Sequence, residues 1–562
     1  MTALLTDNLP LLAGAPNGIK KLRELILELA VRGKLVPQDP RDEPASELLK
    51  RIAEEKARLV AEGKIKRQKQ LAELGEEEKL FELPCGWEWQ RLDAISPMSL
   101  VDGDWIESKD QDPSGGVRLL QLADIGVNEF KDKSDRFVNE ETFLRLNCTA
   151  LEAGDILIAR LPSPIGRACI FPGLSCKAIT VVDVAVLRPL NTFCSGYVVN
   201  AINSTCFREQ VEAYGKGATR FRIATGHLKS LLIPVPPLSE QHRIVAKVDE
   251  LMALCDRLEA QQADAESAHA QLVQALLDSL TQASDAADFA QSWQRLAEHF
   301  HTLFSTESSI DALKQALLQL AVMGKLVPQD SGDEPASALL KRIAEEKARL
   351  VVEGKIKKQK LLAQIGADEG SSKVSSGWEL VRFGQLIELI SGQHLGPDEY
   401  FDSPQDGAIP YLTGPAEFGE VHPQPTRFTH ERRATSIQGD ILLTVKGSGV
   451  GKTNFVDQEE LAISRQLMAI RPVLLDTQFT RYLLLSMAEH FQSKSIGIAI
   501  PGISREDVLD APIGLPPLPE QHRIVAKVDQ LMALCDQLKA RLGQARQVHE
   551  QLANALVEQA VA

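Results

Sequence analysis

A chain that carries one frame twice around unlike contents can only fold as two modules mounted in the same way. Residues 19–69 and 310–360 align without a gap and agree at roughly three-quarters of positions. Both copies hold the runs GKLVPQD and LLKRIAEEKARLV. A second pair, PPLSEQHRIVAKVDELMALCDRLEA at 236–260 and PPLPEQHRIVAKVDQLMALCDQLKA at 516–540, differs at about four places. Between each leading and trailing copy lies an insert, 85–235 and 377–515, and the two inserts show little resemblance. Such a repeat points to one device that reads two different things.

The trailing copies read as long helices. Ile244, Val248, Leu251, Cys255 and Leu258 step by four, three, four and three, the spacing of a coiled-coil seam, and Ile524, Val528, Leu531, Cys535 and Leu538 repeat it. Helical composition continues to about residue 280 and to the C-terminus, which predicts two helices of about 45 residues, or about 65 Å each. The expected cover for each seam is the other copy, packed antiparallel. The leading copies read as helix, turn, helix, with Gly33 ending the first helix, the second starting near Pro44 and Gly63 closing it. Basic runs follow, KIKRQK at 64–69 and KIKKQK at 355–360, and read foremost as solvated helix ends.

The inserts have a different texture. GDILIARL, AITVVDVAVLRP, GDILLTVKG and LAISRQLMAIRP are short strand-like runs, each pair followed by a helical stretch, 198–214 and 479–494. Each insert is expected to be a compact α/β domain with a mostly antiparallel sheet. The joint 281–309 has no counterpart, and its Trp293, Leu296, Phe300 and Leu303 predict a short packed helix. The predicted division is a tail at 1–18, helical segments at 19–84, a first insert domain at 85–235, a helical spacer and joint at 236–376, a second insert domain at 377–515 and a final helix at 516–562.

Eight scattered cysteines form no C-x-x-C pair and no zinc spacing, as expected of a reducing cytoplasm. No apolar run is long enough for a membrane span. The net charge of −15 argues against a chain coated in nucleic acid, although 213–235 is locally basic and lacks acidic residues.

KGSGVGKT at 446–453 imitates a phosphate-cradling loop, but Lys446 stands where the first glycine belongs and no helix follows. An autonomous DNA methyltransferase or nucleotide hydrolase built on 446–453 is the alternative reading. The Pro-Pro pairs at 236–237 and 516–517 lack the polar and aromatic neighbours of an amino-methyltransferase signature. His242 and His522 read as capping or packing residues, and no residue set proposes a reaction.

The chain resembles the specificity subunit of type I restriction–modification systems. The resemblance rests on LPCGWEWQRL at 83–92 with GWELVRF at 377–383, on the two GDIL strands, on the two PPL-x-EQHRIVAKVD starts, and above all on their order. It implies two globular α/β target-recognition domains held apart by two long antiparallel coiled-coil helices, a pseudo-twofold tandem repeat. Each domain is then expected to read half of a bipartite, asymmetric target in double-stranded DNA. The helices set the gap and dock two methyltransferase subunits, and restriction/motor subunits complete the complex. This chain itself holds no cofactor; S-adenosylmethionine, ATP and Mg belong to the partners.

Base reading needs polar or cationic side chains on loops, with arginine suited to guanine and Asn or Gln to adenine. In the first insert the candidates are Arg160, Arg167, Lys216, Arg220 and Arg222, with Gln121 behind them. In the second they are Lys446, Ser448, Lys452, Arg465 and Gln466, with Thr413 weaker. The basic loop 215–225 is the foremost single candidate, and its counterpart 496–504 carries no charge over GIAIPGIS.

Overall fold

The computed structural model describes residues 8–65, 74–96, 98–189, 193–215, 221–283, 286–360, 362, 365–366, 374–447, 449–495 and 501–561. The chain forms two compact units, one of residues up to Ala265 together with Ala545 onward, the other Glu266–Gln544. The division falls inside the two long helices.

The first unit opens with α1 (Leu9–Gly14), α2 (Gly18–Val31) and α3 (Ala45–Ala61). Its insert runs β1 (Glu88–Arg91), β2 (Val101–Asp102), β3 (Val117–Leu120), β4 (Phe137–Val138), α4 (Glu140–Arg145), β5 (Ile156–Ala159), β6 (Ala168–Ile170), β7 (Ala178–Thr180) and β8 (Val184–Leu187). Then come α5 (Ser195–Ile202), α6 (Thr205–Tyr214), α7 (Thr225–Ser230), β9 (Leu232–Val235) and the long α8 (Leu238–Thr281). Strands pair as β1-β9, β2-β8-β5-β6 and β4-β3-β7. All are antiparallel except β3 with β7.

The second unit begins with the end of α8, then α9 (Ala286–Glu298), α10 (Phe300–Leu303), α11 (Glu307–Val322) and α12 (Ala336–Val352). Its insert holds β10 (Glu379–Arg382), β11 (Ile387–Ser391), β12 (Ile409–Leu412), β13 (Arg427–Thr429), β14 (Thr435–Ile437), β15 (Ile441–Thr444), β16 (Thr453–Phe455), β17 (Glu460–Ile463) and β18 (Leu467–Pro472). α13 (Thr477–Ser486), α14 (Ala488–Lys494), α15 (Arg505–Leu509), β19 (Pro512–Leu515) and α16 (Leu518–Val561) complete the chain. The sheets run β10-β19, β11-β18-β15-β16 and β13-β12-β17-β14. Strand for strand this is the first insert again, with β14 added, so two sequences that look unlike share one topology. The aspartates of the GDIL runs explain part of it. Buried Asp155 and Asp440 each take a two-pronged bond from an arginine at the end of the neighbouring strand, Arg188 (2.6 and 2.7 Å) and Arg471 (both 2.8 Å).

The seams are packed as expected against the other long helix, but that helix is only part of their cover. In the first unit Ile244, Val248, Leu251 and Cys255, with Leu258 at the edge, pack into one core with Leu22, Leu25, Ile26 and Leu29 of α2 and with Ala553 and Ala560 from the last turns of α16. In the second unit Ile524 and Val528 join Leu318, Ala321, Trp378 and Phe479, while Leu531, Cys535 and Leu538 meet Val273, Leu277, Leu313 and Leu317. The leading helix is thus a principal cover in each unit, because its apolar stripe is broad enough to close a groove between two helices. Leu296 and Leu303 of the joint are buried in this core, whereas Trp293 stays exposed.

The EQHR helix starts are joints. Glu240 and Glu520 accept the indole N–H of Trp87 and Trp378, each at 3.0 Å. Gln241 and Gln521 hold the backbone amides of Cys194 (3.1 Å) and Asp476 (3.0 Å). Arg243 and Arg523 grip Asp42 (2.6 Å) and Asp333 (2.7 Å) beside the leading helices. Burial pushes the carboxyls of Glu240 and Glu520 above the usual carboxylate range. One motif therefore ties leader, insert and long helix together twice. His242 and His522 point outward, so their expected packing role is not seen.

Candidate nucleic-acid interface

In each recognition domain the loops gather at one end of the sheets, and backbone bonds decide how. In the first, Val181 N–H donates to Leu120 O (3.2 Å), Arg160 N–H to Asp183 O (2.9 Å) and Ile223 N–H to Arg160 O (3.3 Å). In the second, Ser464 N–H donates to Leu412 O (3.0 Å), Val445 N–H to Gln466 O (2.8 Å) and Ile503 N–H to Val445 O (3.0 Å). These are the same bonds at matching positions. Because main-chain groups hold the cluster, its side chains are free to differ, which is what a reading surface requires.

The first cluster corrects the sequence-based choice of arginines. Arg160 is only 5% exposed and donates to Ile223 O (3.0 Å), Val182 O (3.1 Å) and the carboxylate of Asp102. Arg167, at 7%, donates to the carbonyls of Ile125 (2.7 Å), Leu122 (2.8 Å), Pro164 (2.9 Å) and Leu161 (3.2 Å). A buried guanidinium must satisfy its N–H groups, and here the domain's own oxygens do so. Both arginines brace the loops rather than face a ligand. Arg222 is half-buried on the rim, bonded to Val182 O (3.1 Å) and 3.5 Å from Asp183. Gln121 is half-buried at the end of β3, and its backbone N–H donates to Asp124 (2.6 Å). Lys216 and Arg220, with the rest of 216–220, lie outside the described residues.

The second cluster does gather its candidates. Lys446, Lys452, Arg465 and Gln466 are all exposed, and the three cations have no carboxylate partner among the described residues. Gln466 lies against Gly414, where an added Cβ would stand 2.7 Å from its Oε1. Thr413 serves the frame: its amide and hydroxyl both donate to Glu417 at 2.7 Å, and its carbonyl accepts from Ser464 Oγ. Ser448, and most of the uncharged counterpart loop 496–504, lie outside the described residues. Among the described residues the rim is thus cationic here, whereas the first rim holds Asp102 and Asp183 beside Arg160 and Arg222.

The phosphate-loop imitation is a hairpin turn. Residues 446–452 join antiparallel β15 to β16, so the glycines lead into a strand and not into the helix that a phosphate-cradling loop must open. Among the described residues no group of His, Cys, Asp and Glu side chains is placed to hold a metal ion, and no helix is long and apolar enough to cross a membrane.

Arg481 was missed by reasoning from sequence. Its guanidinium lies 4.8 Å from the centre of the Phe455 ring on edge strand β16, and its buried Nε has no hydrogen-bond partner among the described residues. In sequence it is an ordinary helical arginine. Only the fold shows that no carboxylate answers it.

The comparisons with known proteins agree with this geometry. The family model for the type I restriction modification DNA specificity domain matches twice, over 84–266 and 375–545. Two Escherichia coli relatives, the type I restriction enzyme EcoEI and EcoAI specificity subunits, are each 39% identical over 97% of this chain and 94% of their own. A solved chain from work on complex assembly and conformational transition of the type I R-M system has the same fold. It matches with a TM-score of 0.51 and 21% identity, over 86% of this chain and 99% of that one. Two matched domains on one repeated frame, with near full-length relatives, place this chain in the family of type I restriction–modification DNA specificity subunits.

Proposed function

We propose that each loop cluster reads one half of a bipartite, asymmetric target in double-stranded DNA, with α8 and α16 setting the gap. The observation that carries this is the contrast between the clusters. Matching backbone bonds hold Lys446, Lys452, Arg465 and Gln466 on one rim, and Asp102, Asp183 and Arg222 on the other. One scaffold with different donors and acceptors is the arrangement direct readout needs.

The frame is proposed to dock two methyltransferase subunits, to which restriction/motor subunits add. Its support is that α3 and α12 expose the same residues: Lys50, Arg51, Glu54 and Arg58 match Lys341, Arg342, Glu345 and Arg349. Exposed positions are not held by packing, and the inserts between the copies have diverged. Identical faces then suit two copies of one partner. On this reading the chain is non-catalytic and works in the cytoplasm. S-adenosylmethionine, ATP and Mg are held by the partners, whose surfaces supply phosphate contacts that a chain of net charge −15 lacks. Sequencing host DNA for methylated bases, with and without this gene, tests the reading. Loss of methylation at one two-part motif with a fixed gap is expected; unchanged methylation in a host whose partner subunits are expressed overturns it.

A further inference from the structure

Just beyond edge strands β2 and β11 the two domains make the same close approach. Gly103 N–H donates to Val184 O (2.8 Å) and Asp104 N–H to Thr180 O (2.7 Å). Their counterparts Gly392 and Gln393 donate to Leu467 O and Ile463 O, each at 3.0 Å. A Cβ on Gly103 would stand 2.2 Å from Val181 O, and one on Gly392 2.0 Å from Ser464 O. Only glycine lets the segment lie this close to the turns 181–183 and 464–466, which are parts of the loop clusters. The link continues on the far side: Asp102 accepts from Thr225, and Ser391 accepts from Arg505 at 3.1 Å.

The residue displayed two positions after each glycine is a ring. It is Trp105 in the first domain and His394 in the second, both exposed. Trp105 is 68% exposed, with Val101 and Met98 of the same segment also showing apolar surface. Its ring stacks on no other ring among the described residues and is open to solvent. Leaving so large an apolar face in water is unfavourable, and a rim position beside a reading cluster gives it a ligand. Asp102, Asp104 and Glu107 lie within three residues of it, Asp102 paired with Arg160 and Glu107 with Lys109 (2.6 Å), so no unpaired cation of this segment is offered to a phosphate. What remains is the apolar part of DNA: a base face, a thymine methyl or a deoxyribose.

We propose that Trp105 is a DNA-contacting residue of the first recognition domain, laying its indole face against a base or sugar of its half-site, and that His394 holds the same station in the second. This rests on the DNA-reading function proposed above. The test uses the full chain assembled with its methyltransferase subunits and duplexes bearing the methylated motif, or that motif altered in one half. Trp105→Ala is expected to weaken binding of the intact motif about tenfold. It should also reduce discrimination at the first half-site alone, with Trp105→Phe retaining most of both. His394→Ala should do the same at the second half-site. Indole emission of the wild-type complex should change on binding, and the change should shrink in Trp105→Phe. Selective binding that is unaltered in Trp105→Ala, or weakened equally for both half-sites, overturns this inference while leaving the function standing. A wild-type complex without selectivity overturns both.

Discussion

Arginine direction separates the two recognition domains. Arg160 and Arg167 turn inward to carbonyls, whereas Lys446, Lys452 and Arg465 stand in solvent. Substitution should therefore split stability from binding. Arg160→Met leaves the Ile223 carbonyl without its donor and removes the cationic partner of Asp102, and is expected to cost about 2 kcal/mol in chemical denaturation. Lys446→Ala and Lys452→Ala should leave stability within about 0.5 kcal/mol. Each should instead lower the slope of log affinity against log salt by about 1 if it touches a phosphate. An Arg160→Met chain as stable as wild type would refute the bracing role. A second residue-scale case is Asp104, whose carboxyl burial pushes up to about 6, against bonds from the Thr149 amide and the Cys148 thiol. The folded form binds the proton more tightly than the unfolded one. Its contribution is thus complete below the ordinary carboxylate range near 4 and is lost as pH rises to 6. Asp104→Asn should flatten the fall in unfolding free energy between pH 4 and pH 7, by about 1 kcal/mol once solvent screening is allowed for. The sequence names these residue types but not their directions. Whether an arginine faces DNA or a carbonyl depends on oxygens such as those of Ile125 and Leu122, some forty residues from Arg167.

Each long helix of 44 residues is loaded at both ends and bare in the middle. The seam residues Ile244 to Cys255 are buried, as are Val273, Leu277 and Leu280, yet 261–268 is exposed throughout. Helix length and seam were legible because heptad spacing is a local property. The part of the cover supplied by α2 was not, since its stripe resembles that of any amphipathic helix until its neighbours are known. On the proposed reading the bare stretch is the spacer. Removing seven residues from 259–272 of α8, with the matching seven from 539–552 of α16, shortens each helix by about 10 Å while rotating it only about 20° short of two turns. The methylated motif should keep both half-site sequences and lose about three base pairs of gap, at 3.4 Å per step. Altered half-sites with an unaltered gap would refute the spacer role.

On the proposed reading the duplicated frame also specifies a stoichiometry. The inserts kept one topology while changing nearly every loop side chain, because main-chain bonds and the Asp155–Arg188 and Asp440–Arg471 pairs suffice for the fold. That likeness could not be seen in sequence beyond GDIL and the Arg-Pro strand ends, since main-chain ladders leave little trace in side-chain identity. The frame did the opposite and kept exposed side chains as well. Even its surface ion pairs recur, Arg51–Glu43 at 2.6 Å and Arg342–Glu334 at 2.7 Å. Pairs this exposed contribute little to stability, so folding alone does not account for keeping them. A partner that must fit the same face twice does. Arg51→Glu with Arg58→Glu reverses charge on one face only and should give complexes carrying one methyltransferase subunit by native mass spectrometry. The matching Arg342→Glu and Arg349→Glu changes, added to these, should leave none, with Tm nearly unchanged throughout. Two subunits still bound by the fourfold variant would remove α3 and α12 from the docking surface and leave the recurrence of their exposed residues to some other contact.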